Sequence, residues 1–204
     1  AGVYNVVASF TSADPNYADA TISGSLVIDP AAPTLSLSAG SYLYDTAAHA
    51  AGAVALGVDG VTPVAGSFSF TYNGSATAPT NAGVYTVVAS FTSADPNYAD
   101  ASVTGGMTIA AATPTVSVTG GSFLFDAASH AASAVALGVD GVTPVAGSFS
   151  FTYNGSATAP TGAGVYSVVA NFVSADSNYA DASATGSLTI APAAATIAVT
   201  GGSF

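Results

Sequence analysis

The aspartates and asparagines of a recurring Asp-Pro-Asn-Tyr loop are the residues best suited to chemistry. Asp95, Asn97 and Asp100 place three oxygen-bearing side chains close together in the chain. Ca²⁺ takes about six to eight oxygen ligands, so each loop supplies part of a shell that Asp29 or Asp59 would have to extend. The alternative is that Asp, Pro and Asn simply form a good turn. The candidate calcium ligands of the three copies are Asp14, Asn16, Asp19, Asp95, Asn97, Asp100, Asp176, Asn178 and Asp181.

The two histidines do not form a catalytic or metal-binding pattern. His49 and His130 are the only histidines in the sequence, and neither has a Cys, a Glu or a second His nearby. No zinc-type ligand set or Ser-His-Asp arrangement can be built from that spacing. We therefore expect structural or solvent-exposed histidines, no catalytic residues, no cofactor beyond the candidate calcium, and no enzymatic activity.

Two further patterns have both a binding and a structural interpretation. Phe68, Phe70 and Tyr72 lie on one side of a predicted strand, where they could stack on a sugar, but such one-sided alternation favours a buried face. Asn73-Gly74-Ser75 matches the N-glycosylation pattern. The same residues are a strong hairpin signal, because Asn and Gly both tolerate positive φ.

The strand before the Asp-Pro-Asn-Tyr loop positions these candidates. From Tyr85 to Phe91 every second side chain points to one apolar face, which predicts a strand packed on a core. Tyr85 occupies a tyrosine-corner position, and its hydroxyl is expected to cap a backbone group. The stretch recurs, since Tyr4, Tyr85 and Tyr166 are spaced by 85 − 4 = 81 and 166 − 85 = 81 residues. The chain is a tandem array.

Short Ala/Pro joints, stiffer than Gly/Ser linkers, divide the array. They delimit residues 1–32 as the C-terminal half of an Ig-like repeat, 33–113 and 114–194 as complete repeats, and 195–204 as the start of a further repeat. Strand signals within 33–113 alternate with turns, without a helical segment. The predicted fold class is all-β, with tandem Ig-like β-sandwich domains of about seven strands per repeat. The incomplete repeats at both ends favour the interpretation that residues 1–204 are a segment of a longer chain.

The composition narrows the classes of partner. There are no Lys or Arg residues and 11 acidic residues, all Asp, so the formal net charge is −11. A chain without cations cannot neutralise phosphates, so we expect no nucleic acid partner. No apolar run approaches the ~20 residues of a membrane helix, so we expect no membrane insertion of this segment. Without cysteine, stability has to come from core burial and sheet hydrogen bonds.

Several longer motifs resemble the MBG family of bacterial Ig-like repeats. They are Tyr-Asp-Thr-Ala-Ala-His-Ala-Ala from Tyr44, Thr-Tyr-Asn-Gly-Ser-Ala-Thr-Ala-Pro from Thr71, Asp-Pro-Asn-Tyr from Asp95, and Ala-Thr-Pro-Thr-Val-Ser-Val from Ala112. The resemblance covers essentially the whole chain. It implies tandem sandwich modules in large secreted or surface-anchored bacterial proteins. Such repeats commonly carry some Lys, which this chain lacks.

We therefore expect a structural repeat segment of a long extracellular bacterial fibre, stalk or cell-surface filament. Its partners would be neighbouring repeats of the same chain and other copies of the fibre, with divalent cations bridging the acidic surfaces. Residues 53–80 recur unchanged as residues 134–161, which indicates that length matters more than the individuality of a domain. The alternative is an adhesin module that recognises carbohydrate or another cell surface with the help of calcium. A third variant completes the half-repeats by strand exchange between chains.

Overall fold

The structure is a computed structural model that describes residues 1–202. Within this range every regular element is a β-strand. None of the described residues forms a helix of the length and apolarity needed to span a membrane. The strands are β1 (Gly2–Phe10), β2 (Ala20–Ile28), β3 (Thr34–Ser38), β4 (Ser41–Leu43), β5 (Gly52–Leu56), β6 (Gly66–Tyr72), β7 (Gly83–Ser93), β8 (Ala101–Ala110), β9 (Thr115–Thr119), β10 (Gly121–Leu124), β11 (Ser133–Leu137), β12 (Gly147–Tyr153), β13 (Gly164–Ser174) and β14 (Ala182–Ala191).

The strands pair in a pattern that repeats along the chain. Strands β4-β8-β7-β6 and β10-β14-β13-β12 form four-stranded sheets of the same order, and β3-β5 and β9-β11 form matching two-stranded sheets. Strand β10 runs parallel to β14, whereas β12, β13 and β14 are antiparallel. The prediction of an all-β chain of tandem repeats is confirmed. Each copy has six strands, and Ser75 forms only an isolated bridge with Tyr72.

By its contacts the described chain divides into two compact units. Unit 1 comprises Ala1–Ser41, Ala48–Pro79 and Val84–Thr108. Unit 2 comprises Tyr42–Ala47, Thr80–Gly83 and the described residues from position 109 onward. Two short segments therefore belong to unit 2 although most of their sequence neighbours belong to unit 1.

The core of unit 2 lies between β9 and the four-stranded sheet of β10, β12, β13 and β14. Alternation along β13 buries Val168, Ala170 and Phe172, and alternation along β14 buries Leu188 and Ile190. Burying a large aliphatic or aromatic side chain contributes roughly 1.5–3 kcal/mol. The two-residue period of the sequence is thus the direct cause of the packed face.

Unit 1 has the equivalent core. Val87, Ala89 and Phe91 of β7 and Met107 of β8 are at most 2% exposed. The facing strands approach closely at Gly105, where an added Cβ would lie 2.7 Å from the Leu37 side chain. The close approach at Gly105 therefore comes from the spacing of the two layers rather than from its φ angle, and a larger residue there would have to shift the end of the Leu37 side chain.

The hairpin of β1 and β2 occupies the same positions of the period as β7 and β8, and it has the antiparallel register of β13 and β14. Val6 and Phe10 occupy the positions of Val87 and Phe91, yet they are 50% and 61% exposed. Ile22 and Leu26 of β2 are exposed as well, at 73% and 52%, so this face of the hairpin is open. The alternating pattern forms the hairpin, but only a second layer buries it.

Candidate functional site

The loop that contains Asp95 is closed by its own side chains. The Asp95 Oδ1 atom accepts hydrogen bonds from the backbone N–H of Asn97 at 2.9 Å and from its Nδ2 at 3.0 Å. The Asp100 Oδ1 atom accepts a bond from the Ser93 N–H at 2.8 Å, and the Ser93 hydroxyl donates to the Asp95 carbonyl at 2.9 Å. Each carboxylate thus has one oxygen engaged by the turn.

The other two copies of the loop have the same geometry, although Ser177 replaces the proline in the third. The Asp14 Oδ1 atom accepts a bond from the Asn16 N–H at 2.9 Å, and the Asp176 Oδ1 atom accepts one from the Asn178 N–H at 2.9 Å. Asp19 and Asp181 bond to Ser12 and Ser174, each at 2.9 Å.

No calcium shell is evident around these loops. Among residues 1–202 no group of three or more His, Cys, Asp or Glu side chains is close enough to hold a metal ion. Each loop contributes two aspartates and an asparagine. Asp59, the suggested additional ligand, bonds within its own loop. The calcium assignment stays a prediction.

The loops also bind the backbone of the Ala/Pro joints. The Ala112 N–H donates to the Asn178 carbonyl at 2.9 Å, and the Ala112 carbonyl accepts a bond from the Ala180 N–H at 2.8 Å. Ala112 is 1% exposed. Ala31 makes the corresponding pair of bonds in unit 1, at 2.8 and 2.9 Å. The alanines of these joints are therefore hydrogen-bonded parts of the fold.

Two of the loop asparagines, Asn97 and Asn178, each accept one further bond with the side-chain oxygen. In unit 2, the Ala82 N–H donates to Asn178 Oδ1 at 2.7 Å. In unit 1, the Ala1 nitrogen donates to Asn97 Oδ1. Ala1 and Ala82 are equivalent positions of the 81-residue period, so the contact recurs. An amide oxygen that ligated Ca²⁺ would have to share its lone pairs with this donor.

The tyrosine that ends each loop contacts a second loop. The Tyr179 Oη atom accepts a bond from the Val139 N–H at 3.2 Å, and Tyr98 accepts one from Val58 at 3.3 Å. A Cβ added at Gly138 would lie 2.5 Å from Tyr179 Oη, and the same distance applies to Gly57 and Tyr98. Only glycine leaves room for the hydroxyl there.

An aspartate shapes this second loop. The Asp140 Oδ1 atom accepts bonds from the N–H groups of Val142 at 3.0 Å and Thr143 at 2.9 Å. The Thr143 hydroxyl donates to Oδ2. Chiefly through that side-chain bond, and then through the two backbone donors, the pKa of Asp140 falls to about 2. Asp59 has the same partners in unit 1, and its pKa is also lowered to about 2.

Within unit 2, an aromatic side chain lies on this pair of loops. The rings of Tyr44 and Tyr179 meet edge-on, with centroids 5.3 Å apart and an interplanar angle of 79°. Tyr44 shares a cleft with Val139, Asp140 and Asp176. Loss of hydration raises the pKa of Tyr44, and repulsion from Tyr179 and Asp176 adds to the shift. The sequence offered one overlooked signal, because the period places an aromatic residue, Phe125, at the equivalent position.

The histidine contacts are those of a structural residue. The His130 ring stacks on Phe123 with centroids 4.2 Å apart, and its Nε2 lies 3.0 Å from Asp126 Oδ1. The pKa of Asp126 is lowered, first by a bond from the Ala128 N–H and then by His130. The His49 N–H donates to the Pro79 carbonyl at 3.0 Å.

The aromatic residues of β6 pack inward. The rings of Phe68 and Phe70 stack at 6.0 Å, and Phe68 meets Phe91 at 5.0 Å. Tyr72 is 5% exposed, and its hydroxyl accepts a bond from the Ala51 N–H at 2.8 Å. This arrangement agrees with the core interpretation of the alternating aromatics.

The predicted turns are also used internally. Asn73 and Gly74 have φ angles of 48° and 86°. The Asn73 Oδ1 atom accepts a bond from the Thr86 N–H at 2.7 Å, and its Nδ2 donates to the Val84 carbonyl at 3.2 Å. The expected tyrosine-corner bond is present at Tyr166, the equivalent of Tyr85, whose hydroxyl donates to the Gly162 carbonyl at 2.9 Å.

These sheets and loops, recurring with one period, define a protein class: an array of all-β repeats whose loop side chains bind the backbone of their own turns, and whose loop backbone binds that of the joints. The chain belongs to the MBG domain family, since a model of that domain matches residues 33–113 and again 115–194. The resemblance found in the sequence is thereby confirmed. Among curated proteins, no relative matches the chain.

Proposed function

We propose that this chain is a non-enzymatic, structural repeat segment of a long extracellular bacterial fibre, stalk or cell-surface filament. The observation that carries the proposal is the use made of the polar loop residues. The side chains of Asp95, Asp100 and Asp176 accept hydrogen bonds from the backbone of their own turns, and the side chain of Asn178 accepts one from Ala82. Loop side chains that are hydrogen-bonded to backbone in this way favour a structural repeat that adds length to a fibre.

The aromatic residues support the same interpretation. An adhesin that binds carbohydrate needs rings at its surface, but Phe68, Phe70 and Tyr72 pack on one another and on the core. The adhesin alternative therefore loses its aromatic candidates and depends on the untested calcium loops.

The charge supports an assembly whose partners are other repeats. With a net charge of −11 and no basic side chain, separate fibres repel one another unless divalent cations bridge them. Neighbouring repeats of the same chain and other copies of the fibre are the partners we propose. Nucleic acid is disfavoured by the same charge.

The test combines location and mass in the native organism. Antibodies against residues 33–194 should label the surface of intact cells, and the denatured polypeptide that they detect should have many times the 19.5 kDa mass of this chain. An intracellular polypeptide near 19.5 kDa would contradict the proposal. If the antibodies label intact cells but detect a polypeptide near 19.5 kDa, the surface location is retained. The fibre would then have to assemble by strand exchange between chains rather than as one long covalent chain.

A further inference from the structure

The chain contains two copies of one surface, and they differ in what covers them. We define the acceptor surface as Val58, Asp59, Thr62, Pro63 and Tyr98 in unit 1, and as the equivalent Val139, Asp140, Thr143, Pro144 and Tyr179 in unit 2. The two copies have the same internal hydrogen bond from the valine N–H to the tyrosine hydroxyl, 3.3 Å long in unit 1 and 3.2 Å long in unit 2. Yet Val58 is 78% exposed, whereas Val139 is 44% exposed.

In unit 2 the residues that share the cleft with Val139 include an aromatic side chain, Tyr44, and its neighbour Thr46. The Tyr44 and Tyr179 rings meet edge to face, and Tyr44 lines the same cleft as Val139. The edge of one aromatic ring is attracted to the face of another, and such pairs contribute about 0.5–1.5 kcal/mol beyond area burial. The raised pKa of the Tyr44 hydroxyl agrees with a ring that has lost water on docking.

The period supplies a second ring of the same kind. The Tyr44 N–H donates to the Ala110 carbonyl at 2.9 Å, and the Phe125 N–H donates to the equivalent Ala191 carbonyl at 2.8 Å. The backbone therefore holds both aromatic residues in the same way. Phe125 is 41% exposed. The chain thus has one docked pair, one open acceptor surface and one exposed ring.

We propose that the acceptor surface is the docking site for the aromatic side chain that another copy of the MBG repeat presents at the position of Tyr44 or Phe125. The open surface around Val58 takes such a ring from another repeat. Phe125 in turn docks on the acceptor surface of a further repeat. This inference rests on the contacts of unit 2 and does not depend on a surface location or a fibre.

The chemistry of the surface selects this occupant. Asp59 and Asp140 have pKa values lowered to about 2, so both surfaces are anionic at neutral pH and disfavour an acidic ligand. A Tyr or Phe ring is uncharged and can form an edge-to-face pair with Tyr98 or Tyr179.

A second contact identifies the occupant as a repeat rather than as a free aromatic ligand. In unit 2 the segment Thr80–Gly83 is present together with Tyr42–Ala47, and its Ala82 N–H bonds to Asn178. In unit 1 the Ala1 nitrogen already makes the equivalent bond to Asn97. The surface around Val58 therefore has the equivalent of the Ala82 bond, and it differs from its occupied copy at the segment that carries Tyr44 and Thr46.

The first test uses the full chain with Tyr44→Ala. We expect the Val139 amide to exchange its hydrogen about two- to tenfold faster, as loss of an aromatic pair predicts, while Val58 is unchanged. Phe125→Ala is the matched control, because it removes the equivalent exposed ring and should leave both amides unchanged. Tyr44→Phe should keep slow exchange at Val139. Unchanged exchange at Val139 in Tyr44→Ala would overturn the proposal, as would an equal effect of Phe125→Ala.

The second test supplies the missing ring. Residues 33–81 are placed ahead of Ala1 in the full chain, which continues the period because residue 82 is equivalent to residue 1. We expect Val58 exchange to slow to the rate of Val139, and we expect an Ala at the added copy of Tyr44 to abolish that change. If Val58 exchanges alike in all three chains, the surface is not an acceptor. Both tests use purified protein, so their failure leaves the proposed function standing.

Discussion

The side-chain oxygen of Asn178 accepts a 2.7 Å hydrogen bond from the backbone N–H of Ala82, which lies 96 residues earlier in the chain. Asn178 also donates its own N–H to Asp176. One residue of a loop that resembles a fragment of a calcium site therefore connects the turn with a distant backbone segment. The loop has a structural role whether or not it also meets a cation.

Removing the Asn178 side chain should destabilise unit 2. Asn178→Ala deletes the acceptor for Ala82 but keeps the N–H bond to Asp176, so we expect a loss of about 0.5–1.5 kcal/mol in the free energy of unfolding. Urea denaturation of the full chain measures it. Asn16→Ala is the matched control, in an exposed loop where the side chain bonds to Asp14. An equal loss in both variants would contradict the role of the Ala82 contact.

Adding a methyl group at Gly138 should displace Tyr179. The new Cβ would lie 2.5 Å from the Tyr179 hydroxyl, so Gly138→Ala is expected to cost roughly 1–3 kcal/mol of unfolding free energy. Gly52→Ala is the control, since a Cβ there meets nothing within 4 Å. Its effect should stay within about 0.5 kcal/mol. Thermal unfolding of the two variants decides whether the close approach is real, because a neutral Gly138→Ala would mean that the hydroxyl has room to move.

Acid should weaken the two Asp-centred loops. The pKa of Asp140 is lowered from 3.8 to about 2, so its contribution to stability is present above the unfolded value and is lost as the pH falls towards 2. We expect the melting temperature of the full chain to fall over that window. Asp140→Asn cannot titrate and should flatten part of the decline. If the melting temperature of Asp140→Asn falls with acid as steeply as that of the parent, other carboxylates cause the decline.

Alkaline pH should release Tyr44. Its pKa is raised above 10.0, the usual value for tyrosine, because the folded state favours the neutral hydroxyl. The stability that this preference contributes is fully present below pH 10.0 and is lost as the pH rises through the raised pKa. Tyrosinate absorbance of the parent minus that of Tyr44→Phe isolates the titration, which we expect to come later than that of a free tyrosine. Tyr17→Phe provides the control, because Tyr17 is 71% exposed. If the difference curves obtained with Tyr44→Phe and with Tyr17→Phe superimpose, Tyr44 is not desolvated.

Calcium distinguishes the two interpretations of the Asp-Pro-Asn-Tyr loops. Because the Asp95 carboxylate and the Asn97 amide already accept hydrogen bonds, we expect millimolar Ca²⁺ to leave the melting temperature of the purified chain unchanged. A bound ligand would raise it by mass action. A rise that EDTA reverses and Asp95→Ala removes would establish the calcium site and revive the calcium-dependent adhesin. Light scattering in the same titration would report bridging between chains.

Much of the fold follows from local patterns. The two-residue alternation in β7 and β13 correctly predicted buried Val87, Phe91, Val168 and Phe172. The Asn73-Gly74 pair predicted a turn with positive φ, which both residues have. These predictions succeed because strand facing and turn conformation depend on neighbouring residues. The return strand after Asn73 was predicted less well, since only the Ser75 bridge forms.

By itself, the sequence determined the all-β class, the period of 81 residues and the MBG family, because each is set by local alternation, by turn chemistry or by direct repetition. The tertiary structure alone decided that Tyr44 meets Tyr179, that Asn178 bonds to Ala82, and that Val6 stays exposed where Val87 is buried. These contacts join residues far apart in the chain. An Asp-x-Asn motif or an alternating strand has the same local sequence whether or not a distant partner contacts it. Only the three-dimensional packing therefore shows whether that contact is made.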